Sequence, residues 1–199
     1  REMESDRGWS PELWKQMASE LGLPGVAIAD SLGGSGLGAV ELGLVMAELG
    51  RSLACAPFFS SAVLAAGALR RVASDSEQAD GLAAIAAGET AALALWEPGS
   101  SWDLAEVTTT ARPEGSGFRI RGAKQHVIDG HSAERLLVVA RLPGTRGLEG
   151  LGLFRIDPSA AGVTRRALAT LDPTRRHARV ELDDVQARAL GTPGQAASG

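Results

Sequence analysis

The chain has 199 residues, 44% of them hydrophobic and 22% charged, with a formal net charge of −4. That length suffices for one large core or two small ones, and the acidic balance lacks the basic footprint of a nucleic-acid binder. A single cysteine, Cys55, excludes an internal disulfide framework and any multi-cysteine metal site. No apolar run approaches the roughly 18–20 residues of a membrane helix, and no basic-then-apolar leader opens the chain, so the cytoplasm is the expected compartment.

Residues 1–88 read as helices. Ser10-Pro11 is an N-cap followed by proline at the first helical position, where its missing N–H costs nothing. Leu13, Trp14, Met17 and Leu21 form an apolar stripe, and Gly22 stands where a left-handed C-terminal cap belongs. A second helix is expected over 39–53, with Leu42, Val45, Met46, Leu49 and Leu53 on one face and Pro57 as a stop. Ser60 or Ser61 is expected to open a third, alanine-rich helix reaching Val72. Ser76 is expected to cap a fourth, ending at Gly88.

From Glu89 the period changes. Short segments of strand character cover Thr90–Trp96, Val107–Arg112, Phe118–Arg121, Arg135–Arg141, Leu151–Ile156 and Ala178–Leu182. Turn-rich stretches such as Pro113–Gly117, Pro143-Gly144 and Asp172-Pro173 separate them. This predicts an α+β chain: a helical domain over 1–88, then an antiparallel barrel or sandwich over 89–199. Charge shifts with it, from 6 basic and 11 acidic side chains in the first part to 14 and 13 in the second. Only Gly191–Gly199 looks like a linker.

Most candidate chemistry dissolves on inspection. The Gly33-Gly34-Ser35-Gly36 loop lacks the GK[ST] and the GxGxxG spacing of phosphate cradles, so a tight connection using positive φ explains it better. His126, His131 and His177 have no metal-ligand spacing. No GxSxG is present, and Cys55 sits in an apolar context that suits a buried, inert thiol. Two loops leaving strands are less bland, Leu95–Asp103 and Gly122–Gly130. By composition each is either a turn or a ligand grip, since backbone donors are free where strands end.

The collinear order of segments resembles the acyl-CoA dehydrogenase family. It starts with a Trp-containing helix, Leu21–Ile28 and the Gly33–Leu37 loop, then Glu48-Leu49-Gly50-Arg51. It continues through Glu97-Pro98-Gly99, Thr109-Thr110-Ala111, Lys124, Asp129-Gly130, Leu136-Leu137-Val138 and Asp172-x-Thr174-Arg175 to Val180-x-Leu182-Asp183-x-Val185. The arginine-rich character looks most like the family's actinobacterial branch. The resemblance implies a helical N-terminal domain and a middle β-barrel. The family's C-terminal four-helix bundle is expected to be absent from this chain, which looks truncated at its start as well.

The resemblance further implies an FAD-dependent oxidoreductase that dehydrogenates an acyl-CoA thioester to the trans-2-enoyl-CoA. Electron-transfer flavoprotein or a similar acceptor would be its redox partner, in a homo- or hetero-oligomer. The family's catalytic base comes from the C-terminal bundle, so no carboxylate here takes that role. Cofactor contacts are expected from Leu95, Trp96, Glu97, Trp102, His126, Val127 and Ile128, and substrate contacts from Trp102 and Asp103. The family's usual hydroxyls stand as Trp96, Trp102 and Ile128 here, and its usual aromatic as His126. Two other readings keep the fold: a non-catalytic subunit of a hetero-oligomer, motivated by those replacements, and a flavin oxidase or monooxygenase. The two candidate stretches are expected side by side on one rim of the barrel. Arg175 and Arg176 are expected on a surface loop, either meeting a neighbour or phosphate or simply solvated.

Overall fold

The structure, a computed structural model, describes residues 2–99 and 102–194. Its first part is helical: α1 (Pro11–Ser19), α2 (Ala39–Arg51), a π-helical segment (Phe59–Ala65) running into α3 (Ala66–Val72), and α4 (Asp75–Ala86). Ser10 caps α1 as expected, its Oγ accepting from Leu13 N at 3.2 Å, and Gly22 adopts the left-handed conformation at φ 62°. The cap of α4 is Ser74 rather than Ser76. Glu77, three residues on, takes the Ser74 N–H at 3.2 Å and closes a capping box.

Ser60 and Ser61 are not caps. Both are fully buried inside the π-helical segment, whose wider turn brings two consecutive side chains inward. Ser61 Oγ accepts from Ala91 N at 2.9 Å and donates to Ala91 O at 3.2 Å. Ser60 Oγ donates to Pro57 O at 3.1 Å or to the Asp129 carboxyl at 2.7 Å. These two hydroxyls tie the helices to the strands behind them.

Among the described residues seven strands follow: β1 (Ala91–Ala94), β2 (Thr110–Glu114), β3 (Gly117–Ile128), β4 (Arg135–Arg141), β5 (Leu151–Ile156), β6 (Val163–Ala167) and β7 (His177–Leu190). Pairing runs β4–β2–β3–β7–β5 and returns to β4, which closes a barrel. Antiparallel pairs dominate, but β1 runs parallel to β4, and β2 meets the end of β4 in parallel as well. β6 was not expected; it pairs with β7, which continues eight residues beyond Leu182. Inside the barrel lie Ile120, Val127, Leu136, Val138, Phe154 and Val180. Leu137 and Leu153 face outward, against Ala65, Leu69 and Ile85 of the helical layer. β4 is therefore apolar on both faces.

A third cluster gathers Trp9, Trp14, Met17 and Phe58 beneath α1 and the half-buried face of α2. Leu13, Leu21 and Leu53, expected to be part of the helical stripes, are 38%, 66% and 61% exposed. Leu21 and Leu53 lie beyond the last residues of α1 and α2, and Leu13 stands in the exposed first turn of α1. Arg175 and Arg176 are half-buried rather than fully solvated. Arg175 donates to Ala54 O at 3.2 Å and Arg176 to Met3 O at 2.6 Å, so the pair stitches the barrel to the helical layer. Among the described residues no helix is long and apolar enough to cross a membrane.

Candidate functional site

β1 ends at Ala94, and the loop beyond it folds back over β3. Gln125 N donates to Trp96 O at 2.8 Å, and Lys124 Nζ donates to Leu95 O at 3.0 Å. The two sequence-predicted stretches are thus neighbours on one rim of the barrel. β3 slips register against β7 between Lys124 and Val127, and His126 sits in that bulge at φ 57°. A bulge re-aims the side chain it carries, and here it leaves His126 exposed, its ring edge-on to His177 with centroids 5.7 Å apart.

Trp96 and Trp102 meet edge to face, centroids 4.5 Å apart, with Trp96 half-buried and Trp102 82% exposed. An indole this exposed keeps most of its apolar area in water, which stands out among soluble proteins. Leu95 and Ile128 are half-buried, whereas Glu97 and Val127 turn inward at 8% and 1% exposure. Those last two side chains belong to the interior, so the rim has only their backbone to offer. Asp103 caps the short turn Leu104–Glu106, its Oδ1 accepting from Ala105 N at 2.8 Å. Ser100 and Ser101, inside the first stretch, lie outside the described residues.

Behind the rim is a corner that sequence reading missed. The Glu97 carboxylate receives Lys124 Nζ at 2.7 Å, Thr108 N at 2.7 Å and Thr109 N at 2.8 Å, and both threonine hydroxyls donate to it too. Burial alone would raise the Glu97 pKa, but the Lys124 charge and these hydrogen bonds outweigh it and hold the group at about 2. Burial brings Lys124 down to about 8 despite that partner. Gly122 makes room for the corner: at φ 156°, a Cβ there would stand 2.9 Å from Thr109 Cα.

The second unexpected feature is an apolar cavity of about 170 Å³ between α3 and the sheet, lined by Ala68, Val72, Leu93, Leu95, Leu104 and Val139 among others. Leu95 precedes Trp96 and Leu104 follows Asp103, so the cavity opens beside the rim. Its lining comes from helix, strand and loop together, a combination no local pattern announces. The remaining candidates are placed as follows. Cys55 is buried, and burial pushes its thiol pKa up. The Gly33–Gly36 loop makes two left-handed turns, and the described residues contain no cluster suited to a metal.

A helical layer on a closed barrel, with loop and bulge meeting at one rim, places the chain among two-layer α+β proteins, and sequence comparison makes the class specific. The profile of the acyl-CoA dehydrogenase N-terminal domain matches residues 1–89, and that of the family's middle domain matches 92–185. The chain belongs to the acyl-CoA dehydrogenase family. It is 33% identical over 160 residues to acyl-CoA dehydrogenase FadE27 of Mycobacterium tuberculosis, covering 80% of this chain and 40% of that protein. Among solved structures, the Tcur3481-Tcur3483 steroid ACAD matches with TM-score 0.82 at 32% identity, covering 98% of this chain and 51% of that one. The ChsE4-ChsE5 complex from Mycobacterium tuberculosis matches with TM-score 0.80 at 28% identity, over 99% and 52%. The chain therefore spans about half the length of the proteins it matches.

Proposed function

We propose that this chain supplies one wall of the site of an FAD-dependent acyl-CoA dehydrogenase, which converts an acyl-CoA thioester to its trans-2-enoyl-CoA. The observation that carries this reading is the rim itself: the Trp96–Trp102 pair, bonded through Trp96 O to the residue before His126, beside an apolar cavity lined by Leu95 and Leu104. Exposed aromatic edges and faces suit a planar ring, so the residues fit the flavin ring by stacking. They do not offer side-chain hydroxyls, since Trp96, Trp102 and Ile128 stand at those positions. Bound FAD would supply the acceptor for the substrate's β-hydrogen as hydride.

The chain's own contribution is to bind and orient. Leu93, Leu95 and Leu104 would take the apolar acyl chain and exclude water from its reacting end, and a fixed rim would hold the ring against it. Neither buried acid is suited to remove the α-proton. A general base must come within hydrogen-bond reach of that proton, and Glu97 and Asp129 are both enclosed. The base is expected from residues beyond these 199. The test is to titrate the full polypeptide with FAD and assay acyl-CoAs of several lengths with an artificial electron acceptor. One flavin per chain with enoyl-CoA formation supports the reading.

A second reading has its own observation. With three hydroxyl positions filled by Trp96, Trp102 and Ile128, the same fold would serve as a non-catalytic subunit beside a catalytic partner, and both solved relatives named above carry two protein names. Flavin uptake only after mixing with a partner chain would favour it.

A further inference from the structure

We infer that Lys124 and Glu97 are a positioning pair: their buried ion pair locks the loop leaving β1 onto the bulge of β3 and so sets where Trp96 stands relative to His126. The inference rests on the rim reading above.

The attraction between the two charges alone does not call for this pair. The Lys124 side chain is 0% exposed and that of Glu97 5%, and taking two charges out of water costs as much as their attraction returns, so apolar replacements of similar volume are often neutral or stabilising. The barrel core around them is built of apolar side chains, from Ile120 through Phe154 to Val180. What hydrocarbon cannot do is fix direction. Glu97 collects Lys124 from β3 and Thr108 and Thr109 from the approach to β2, while Lys124 also holds Leu95 O. Three chain segments converge on one carboxylate. Two of them are irregular at this point: the loop has left β1, and Gln125 and His126 lie where the β3–β7 register shifts. Segments without a continuous ladder take their placement from such directed bonds. Lys124 and Glu97 would touch neither ring nor substrate; they act through Trp96 and Gln125.

The test is the double variant Lys124→Met/Glu97→Leu in the full polypeptide, read three ways. Thermal unfolding should fall, because Thr108 N, Thr109 N and the two threonine hydroxyls lose their acceptor. Amide exchange at Gln125 should quicken about tenfold more than at Leu137 in β4, because the bond to Trp96 O loses its support locally. FAD should bind about tenfold more weakly, with a shifted visible flavin band. Unchanged exchange at Gln125 in a folded variant would overturn the inference, as would faster exchange with wild-type FAD affinity and spectrum. If the wild type takes up no FAD, the functional reading fails and the Gln125 exchange alone decides the positioning. If the double variant does not fold, Glu97→Gln, which keeps the shape, should show the same two changes; wild-type behaviour there would overturn the inference equally.

Discussion

Two buried acids flank the rim, and the molecule treats them oppositely. Glu97 is 8% exposed and Asp129 6%, yet the first is held at about 2 and the second raised by burial to about 6. Burial acts on both in the same direction, so the partners decide. Glu97 has a lysine and two threonines. Asp129 has one serine hydroxyl, with Arg175 near enough only to temper the effect of burial. Burial is the larger influence on Asp129, and the Ser60 hydroxyl, 2.7 Å from its carboxyl, offsets only part of it. A buried acid falls well below its ordinary pKa where a cation meets it and rises above it where only a hydroxyl does.

The comparison breaks hardest at Lys124. Lys124→Ala would leave the Glu97 carboxylate buried without its cation, and removing one member of a buried pair costs roughly 3–5 kcal/mol. Urea unfolding at neutral pH reads this directly. A loss below about 1 kcal/mol, in the range of an exposed pair, would mean that Glu97 is reached by water.

Asp129→Asn tests the other side, and its sign depends on pH. The folded pKa of Asp129 lies above its ordinary 3.8, so its contribution is fully present below that value and is lost as pH rises through about 6. The loss amounts to about 3 kcal/mol for a shift of this size. Asparagine mimics the neutral acid, so the variant should match the wild type near pH 4 and exceed it at pH 7 by up to that amount. Glu97 slopes the other way: its contribution is present above its ordinary 4.5 and is lost as pH falls toward about 2. Unfolding curves across pH 3–8 for wild type and variant separate the two groups.

A smaller effect is expected where the helical layer is tied down without charge. Ser61→Ala removes the hydroxyl that serves both polar groups of Ala91. Leaving a buried N–H without its partner costs about 1–3 kcal/mol. Because Ser61 is neutral, that loss should not vary across the same pH range, in contrast with Asp129.

The contrast also explains what the sequence made legible. Arg135–Arg141 and Leu151–Ile156 were readable as strands because their apolar runs are local and bounded by turns. The Ser10 cap was readable from two adjacent residues, and the Ser74 cap could have been, from Glu77 three positions on. β6 escaped because Val163–Ala167 carries two arginines and no buried residue, as an edge strand can afford. The parallel pairing of β1 with β4 joins segments some forty residues apart and has no local signature. The Glu97–Lys124 pair, 27 residues apart, appeared in sequence only as two unrelated members of a family-like pattern. The rim was legible as two stretches; what holds them together was not.

The smallest expected effect on stability belongs to Trp102, and it bears most directly on function. At 82% exposure, Trp102 has little burial to lose, so Trp102→Ser should change unfolding free energy by less than about 0.5 kcal/mol. Among the described residues the ring contact at risk is its edge contact with Trp96, 4.5 Å between centroids, and at this exposure it adds about 0.5 kcal/mol, the low end for aromatic pairs. The substitution introduces the hydroxyl that the family resemblance implies at this position. If the rim holds FAD by stacking on the indoles, the variant loses flavin affinity in spite of the restored hydroxyl. If Trp102 instead obstructs a hydroxyl-dependent contact, as the non-catalytic reading implies, the same variant gains flavin. Titration of wild type and variant with FAD, followed by flavin fluorescence, separates these outcomes by the sign of the change. Equal affinity in a folded variant would place Trp102 outside the flavin contact altogether.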